Sequence, residues 1–267
     1  MFKTDSILII GCGNMGGAML AGWLAGGLDP ARFTVVDPVL AEAPAGVRLL
    51  REVPSGAFDV VLLGIKPQAL GEVAPALEPA TRGAVILSIL AGAELATLAK
   101  RFPEAAALVR VMPNLAAAIG KSPLGLFEQG LDRAERGTVE ALLTPLGTAE
   151  WLASEEQLDA VTALAGSGPA FVYRFIAALA DGGAALGLDP AQSERLARSM
   201  VEGAAMLAAA SPDSPAELAR RVTSPGGTTA AGLTVLDGDA QFAELIAATL
   251  RAARDRGAEL ALAARKP

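Results

Sequence analysis

At 267 residues the chain is long enough for one large domain or two modest ones, each with its own core. A formal charge of −7, with the five lysines scattered, excludes a general nucleic-acid binder, which needs clustered cations. A single cysteine excludes an internal disulfide, and the lack of histidine excludes the usual structural zinc site, so no metal is expected.

Residues 1–6 are short and charged and do not read as a signal peptide, so a cytoplasmic location is expected. A first strand is expected at 6–10. It runs into Gly11-Cys12-Gly13-Asn14-Met15-Gly16, which opens a helix at 15–25. A second strand at 33–36 ends in Asp37, twenty-one residues after Gly16. Strand, glycine turn, helix, strand and acid in this order form a dinucleotide fingerprint. Gly11 permits the tight turn, Gly13 lets the backbone approach a pyrophosphate, and Gly16 lets helix and strand pack closely. The helix N-terminus offers free N–H groups to the phosphates. A carboxylate at Asp37 would accept from the adenosine ribose hydroxyls and repel a 2′-phosphate, which favours NADH over NADPH. The plainer alternative is a glycine turn in an ordinary α/β domain, with Asp37 a solvated residue before Pro38.

Further strands are expected at 59–65, 84–89 and 107–111, with helices at 68–77 and 94–101 between them. Later strands at 122–127 and 148–152 flank a helix at 133–143. Strand–helix alternation implies right-handed crossovers and a mainly parallel sheet covered on both faces. After about residue 155 the period becomes helical throughout, at 157–165, 169–186, 190–209, 215–222, 229–236 and 240–263. Pro190 and Pro215 suit first helical turns, and Gly187 suits a C-terminal cap. The apolar stretch 171–188 contains Arg174 and Asp181, so no membrane span is expected. The chain therefore reads as an α/β Rossmann-type domain over 1–154, followed by an all-α domain over 155–267.

Absences narrow the redox chemistry. No histidine acid–base is present, the single Tyr173 is followed four residues later by Ala177 rather than lysine, and no lysine lies between Ser122 and Arg265. Alcohol and hydroxy-acid oxidation lose their usual proton carriers. The helical half does carry Val222-Thr223-Ser224-Pro225-Gly226-Gly227-Thr228-Thr229 at a helix start. Consecutive N–H groups there suit a carboxylate, and the hydroxyls of Ser224, Thr228 and Thr229 both donate and accept. A plain helix cap is the other reading. Ala165-Gly166-Ser167-Gly168-Pro169-Ala170-Phe171 reads on its own as a helix-packing or hinge element.

Together these two segments resemble the signature of pyrroline-5-carboxylate reductases. The likeness spans nearly the whole chain, through Gly64-Ile65-Lys66-Pro67-Gln68, Ser88 to Gly92, and Val109-Arg110-Val111-Met112-Pro113-Asn114. The resemblance implies NADH- or NADPH-dependent reduction of 1-pyrroline-5-carboxylate to L-proline. It implies dinucleotide contacts along Gly11–Gly16, at Gly64, Ile65, Lys66 and Pro67, at Ile89, Leu90 and Ala91, and at Asn114. It places the substrate carboxylate at Ser224, Gly226, Gly227 and Thr228, the Thr229 hydroxyl near the imine nitrogen, and Glu155 at the edge of the substrate site. A homodimer or larger homo-oligomer built through the helical domain is also implied. A protonated imine is already electrophilic, so orientation matters more than a strong acid, in keeping with a site lacking His and Lys. The chain departs from the family pattern at Leu115-Ala116, where Thr-Pro is usual, at Arg51, often Asn, and at Arg221. Arg51 could stack on adenine, meet a 2′-phosphate or simply be solvated. A reductase of another cyclic imine carboxylate and a non-catalytic dinucleotide binder remain open alternatives.

Overall fold

A computed structural model describes residues 2–264. Eight strands form one sheet: β1 Ile7–Ile10, β2 Phe33–Val36, β3 Arg48–Leu50, β4 Val60–Leu63, β5 Val85–Ser88, β6 Ala107–Met112, β7 Ser122–Gln129 and β8 Gly147–Trp151. Ten α-helices accompany them: α1 Asn14–Ala25, α2 Leu70–Thr81, α3 Leu95–Arg101, α4 Arg133–Leu143, α5 Gln157–Val161, α6 Gly168–Ala185, α7 Pro190–Ala210, α8 Pro215–Arg221, α9 Thr228–Leu236 and α10 Gln241–Ala264. The strand order is β3-β2-β1-β4-β5-β6-β7-β8, parallel except for the β6–β7 pair.

The inner strands are short runs, mostly of Ile, Leu and Val, buried on both faces, as a sheet covered by helices requires. Their period of two sorts them into two cores. Ile7 and Ile9 join Met19, Trp23 and Phe33 on one face, while Leu8 and Ile10 join Leu63, Leu77 and Leu98 on the other. Trp23 stacks on Phe33 with ring centroids 5.5 Å apart and donates its indole N–H to the Leu142 carbonyl at 2.7 Å. That bond satisfies the indole N–H inside the first core.

Three details differ from the sequence expectation. β3 has no strand-like pattern of its own, being three residues long with Arg48 exposed. It forms because β2 offers it an open edge. α2 continues to Thr81 despite Pro75 and Pro79, and the expected helix at 157–165 is α5 followed by a π-turn, Thr162–Gly166.

Two compact units result: residues up to Gly166 with the end of α10 from Ala253, and Ser167–Ala252. The sheet unit reaches past residue 154 because α5 packs on β7. A Cβ on Gly125 would stand 2.8 Å from the Val161 side chain, so only glycine admits that approach. In the helical unit α6 and α7 meet where Gly183 leaves room for Ser193, whose hydroxyl donates to the Ala180 carbonyl at 2.7 Å. Several large apolar side chains of this unit are exposed, among them Tyr173, Leu186, Leu207 and Val235. By length and composition alone the run Gln157–Ala185 is long and apolar enough to cross a membrane, a test that helices of soluble proteins also pass.

Candidate active site

β1 has β2 on one side and β4 on the other, so the strand order reverses there and opens a crevice beyond the strand ends. The loops leaving β1 and β4 touch across it. Gly11 adopts φ +83°, and a Cβ there would stand 2.9 Å from the Gly64 oxygen. A Cβ on Gly64 or Gly16 would press on the Gly11 oxygen at 2.6 or 2.5 Å. Gly13 differs, since no atom lies within 4 Å of its missing Cβ. It is also the N-cap of α1, and no side chain caps that helix. The first N–H groups of α1 are thus left to a ligand, and the open side of Gly13 is the cradle a pyrophosphate requires.

A cavity of about 830 Å³ extends from this turn, large enough for a dinucleotide's adenosine half. Gly11, Gly13, Asp37, Gly64, Ile65 and Lys66 line it. Its apolar wall went unread in the sequence. Ala69, Val73 and Ala76 recur at i, i+4, i+7, a stripe beside the core stripe of Leu70, Ala74 and Leu77. The signal was an α2 apolar on more of its surface than one core contact needs.

Asp37 is buried, and both of its carboxylate oxygens bond to the main chain. Its Oδ2 accepts from the Cys12 N–H at 2.8 Å, and Oδ1 from the N–H groups of Val39 and Leu40 at 2.9 Å each. Burial by itself would raise its pKa, but these three donors and the nearby Arg51 charge outweigh it and hold the carboxyl below the usual range. Burial and the Asp37 charge together push the Cys12 thiol up, so it stays protonated. Asp37 thus ties the glycine turn to the end of β2. A ribose contact, on which the argument for NADH rests, would have to share these oxygens with the main chain.

Asn14 and Met15 open α1, with Gly16 buried behind them, and Pro67 starts a short 3₁₀ turn behind Lys66. In the loop after β5, Leu90 is buried in the second core and Ile89 packs against the first, so only Ala91 is exposed. Any ligand contact from Leu90 runs through its main chain. Asn114 is spent internally: Oδ1 accepts from the Ala116 N–H and Nδ2 donates to the Ala165 carbonyl, both at 2.9 Å. Glu155 lies in the sheet unit, its Oε1 accepting from Arg110 Nη1 and the Leu95 N–H at 2.8 Å each. Only 6% of the Arg110 side chain is exposed, against 23% for Glu155, so the pair is largely internal.

In the helical unit Ser224 to Gly227 form a β-turn in which the Gly227 N–H donates to the Ser224 carbonyl at 3.0 Å. Pro225 occupies the second position and Gly226 the third at φ +71°, a conformation that demands glycine. The turn delivers Gly227 as the N-cap of α9, again without a side-chain cap. Ser224, Thr228 and Thr229 surround these free N–H groups and are exposed in the single chain. Arg221, just upstream, pairs with Asp213 and Glu217 instead. Among the described residues no group of three or more His, Cys, Asp or Glu side chains is arranged to hold a metal.

A dinucleotide crevice at a topological switch point, joined in one chain to a carboxylate-sized N–H turn, defines a dinucleotide-dependent oxidoreductase. Residues 155–260 match the family model for pyrroline-5-carboxylate reductase dimerisation, and residues 6–92 match that for NADP oxidoreductase, coenzyme F420-dependent. Over 268 residues the chain is 38% identical to the pyrroline-5-carboxylate reductase of Pseudomonas aeruginosa, covering 97% of this chain and 98% of that one. The chain belongs to the pyrroline-5-carboxylate reductase family. The soybean (Glycine max) enzyme of that name is 37% identical, with 94% and 95% covered. A solved pyrroline-5-carboxylate reductase from Coxiella burnetii superposes with a TM-score of 0.88 at 31% identity, covering 97% of this chain and 99% of that one. The Plasmodium falciparum pyrroline carboxylate reductase with NADP bound gives a TM-score of 0.81, covering 96% and 98%, and at 22% identity supports the fold.

Proposed function

We propose that the protein reduces 1-pyrroline-5-carboxylate to L-proline with NADH or NADPH as hydride donor, the last step of proline formation. The observation that carries this beyond family membership is the uncapped turn Ser224–Gly227, whose free N–H groups suit the substrate carboxylate. When bound, the reduced nicotinamide supplies the hydride that adds to the imine carbon, and the nitrogen keeps its proton to become the amine of proline.

The chain's own residues bind and orient. Gly227 and Thr228 offer main-chain N–H groups to the carboxylate, and Ser224 adds a hydroxyl. Thr229, the catalytic residue in this reading, directs its hydroxyl to the imine nitrogen and holds the ring in one orientation. Its hydroxyl does not titrate near neutrality, so it positions rather than carries a proton. Asn114 and Glu155 act through the main chain they hold and do not touch substrate. The exposed apolar side chains of the helical unit bury against a second copy rather than in lipid, giving a homodimer or a larger assembly. We place the enzyme in the cytoplasm, where its dinucleotide is renewed, without nucleic acid or a metal as partner.

Loss of reduced-nicotinamide absorbance with 1-pyrroline-5-carboxylate, run beside the six-membered homologue, tests the proposal. The five-membered ring should give at least about tenfold higher kcat/KM, the discrimination one methylene commonly supplies. Equal rates would assign a broader cyclic-imine reductase, and binding without turnover a non-catalytic protein.

A further inference from the structure

We propose that Arg51 reads the 2′-phosphate of the dinucleotide, so that this chain prefers NADPH although an aspartate ends its second strand. The inference rests on the dinucleotide-dependent reading above. Arg51 lies just past β3, the strand without a signature in the sequence, and lines the cavity that Gly11, Gly13 and Asp37 also line. Its Nη1 donates to the carbonyls of Asp37 and Leu40, both at 2.7 Å. Those two bonds fix the guanidinium beside the turn after β2, where the adenosine ribose of a dinucleotide belongs. A guanidinium has five N–H donors, so three remain, in the planar fork that matches phosphate oxygens. Side-chain ordering, the usual cost of recruiting a surface arginine, is already met by the two carbonyls.

The charge around Arg51 supports the same assignment. Asp37 is the carboxylate expected to repel a 2′-phosphate, but its oxygens are aimed at three main-chain N–H groups and the Arg51 cation lies near it. A second, open cavity of about 480 Å³ adjoins the first, with Arg51, Glu52 and Val53 common to both. Arg48 and Ser55 also line it, adding a cation and a hydroxyl. Glu52 opposes a phosphate, and Lys66, which also lines the main cavity, favours one. In the smaller space two arginines, Arg48 and Arg51, thus stand against one carboxylate, Glu52.

Calorimetric titration of the full-length enzyme with NADPH, NADH, 2′,5′-ADP and 5′-AMP tests this without turnover. Wild type should bind NADPH and 2′,5′-ADP at least about tenfold tighter than NADH and 5′-AMP, the range of hydrogen bonds to a charged group. Arg51→Ala should abolish most of that ratio, and Arg51→Lys should restore only part, lacking the fork. Asp37→Asn should weaken NADPH and NADH alike, since it loosens a turn both share. A wild-type preference for NADH, or a ratio untouched by Arg51→Ala in a variant that still binds 5′-AMP, overturns the proposal. Failure of wild type to bind either dinucleotide would overturn it together with the reading beneath it.

Discussion

Two side chains identified by type in the sequence play different parts in the structure. Thr229 sits in the first turn of α9 beside N–H groups that no side chain caps, and the role proposed for it is directional. Thr229→Val keeps shape and removes the hydroxyl. The variant should fold normally and lose about ten- to a thousandfold in kcat/KM, the span for one positioning contact. Unchanged kinetics would remove Thr229 from the reaction. Asp37 instead bonds the glycine turn to the end of β2. Asn in its place keeps one good acceptor and turns an amide toward N–H donors, so Asp37→Asn should cost about 1–3 kcal/mol of stability. The sign with pH follows from the depressed carboxyl. Its contribution is complete above the unfolded value near pH 4 and disappears as pH falls through the lower folded value. Denaturant unfolding of both proteins should therefore show a gap that is full at neutral pH and closes in acid. A gap indifferent to pH would mean that the charge contributes nothing.

Strands and helices supply what these residues act through. β6 carries Arg110, α3 begins at Leu95, and Glu155 joins them, so one carboxylate fastens the end of the loop after β5 to the sheet. Glu155→Ala would leave a guanidinium buried without a partner and should cost about 3 kcal/mol. Arg110→Met with Glu155→Gln should recover much of that, because no charge is then stranded. Urea denaturation separates the cases. A double variant as unstable as Glu155→Ala would show that packing, not charge, is at stake. The main strands and helices were legible because each declares itself over four to twenty residues through its own period. β3 was not, since a three-residue edge strand exists only by virtue of its neighbour, and the turns flanking it look like loop. The glycine turns were legible for the opposite reason, as Gly11 and Gly226 hold positive φ whatever surrounds them.

For the chain as an assembled molecule, the exposed apolar surface of the helical unit is the dominant fact. Leu186 is 90% exposed and Val235 83%, values that isolated side chains tolerate but that many neighbours sharing them do not. Light scattering should give a mass at least twice the 27.0 kDa of one chain, and the melting temperature should rise with protein concentration. A monomer with a concentration-independent melt would refute burial against a second copy.

Periodicity, the glycine turn after β1, the Ser-Pro-Gly-Gly turn and the missing proton carriers were all readable along the chain, because each depends on residues a few positions apart. Tertiary structure alone decided where the polar side chains spend their hydrogen bonds. Asp37 meets Cys12 across 25 residues, Arg110 meets Glu155 across 45, and Leu95 meets Glu155 across 60. Such bonds form only where the sheet brings distant strand ends together, and a carboxylate aimed at the main chain has the same sequence as one aimed at a ribose.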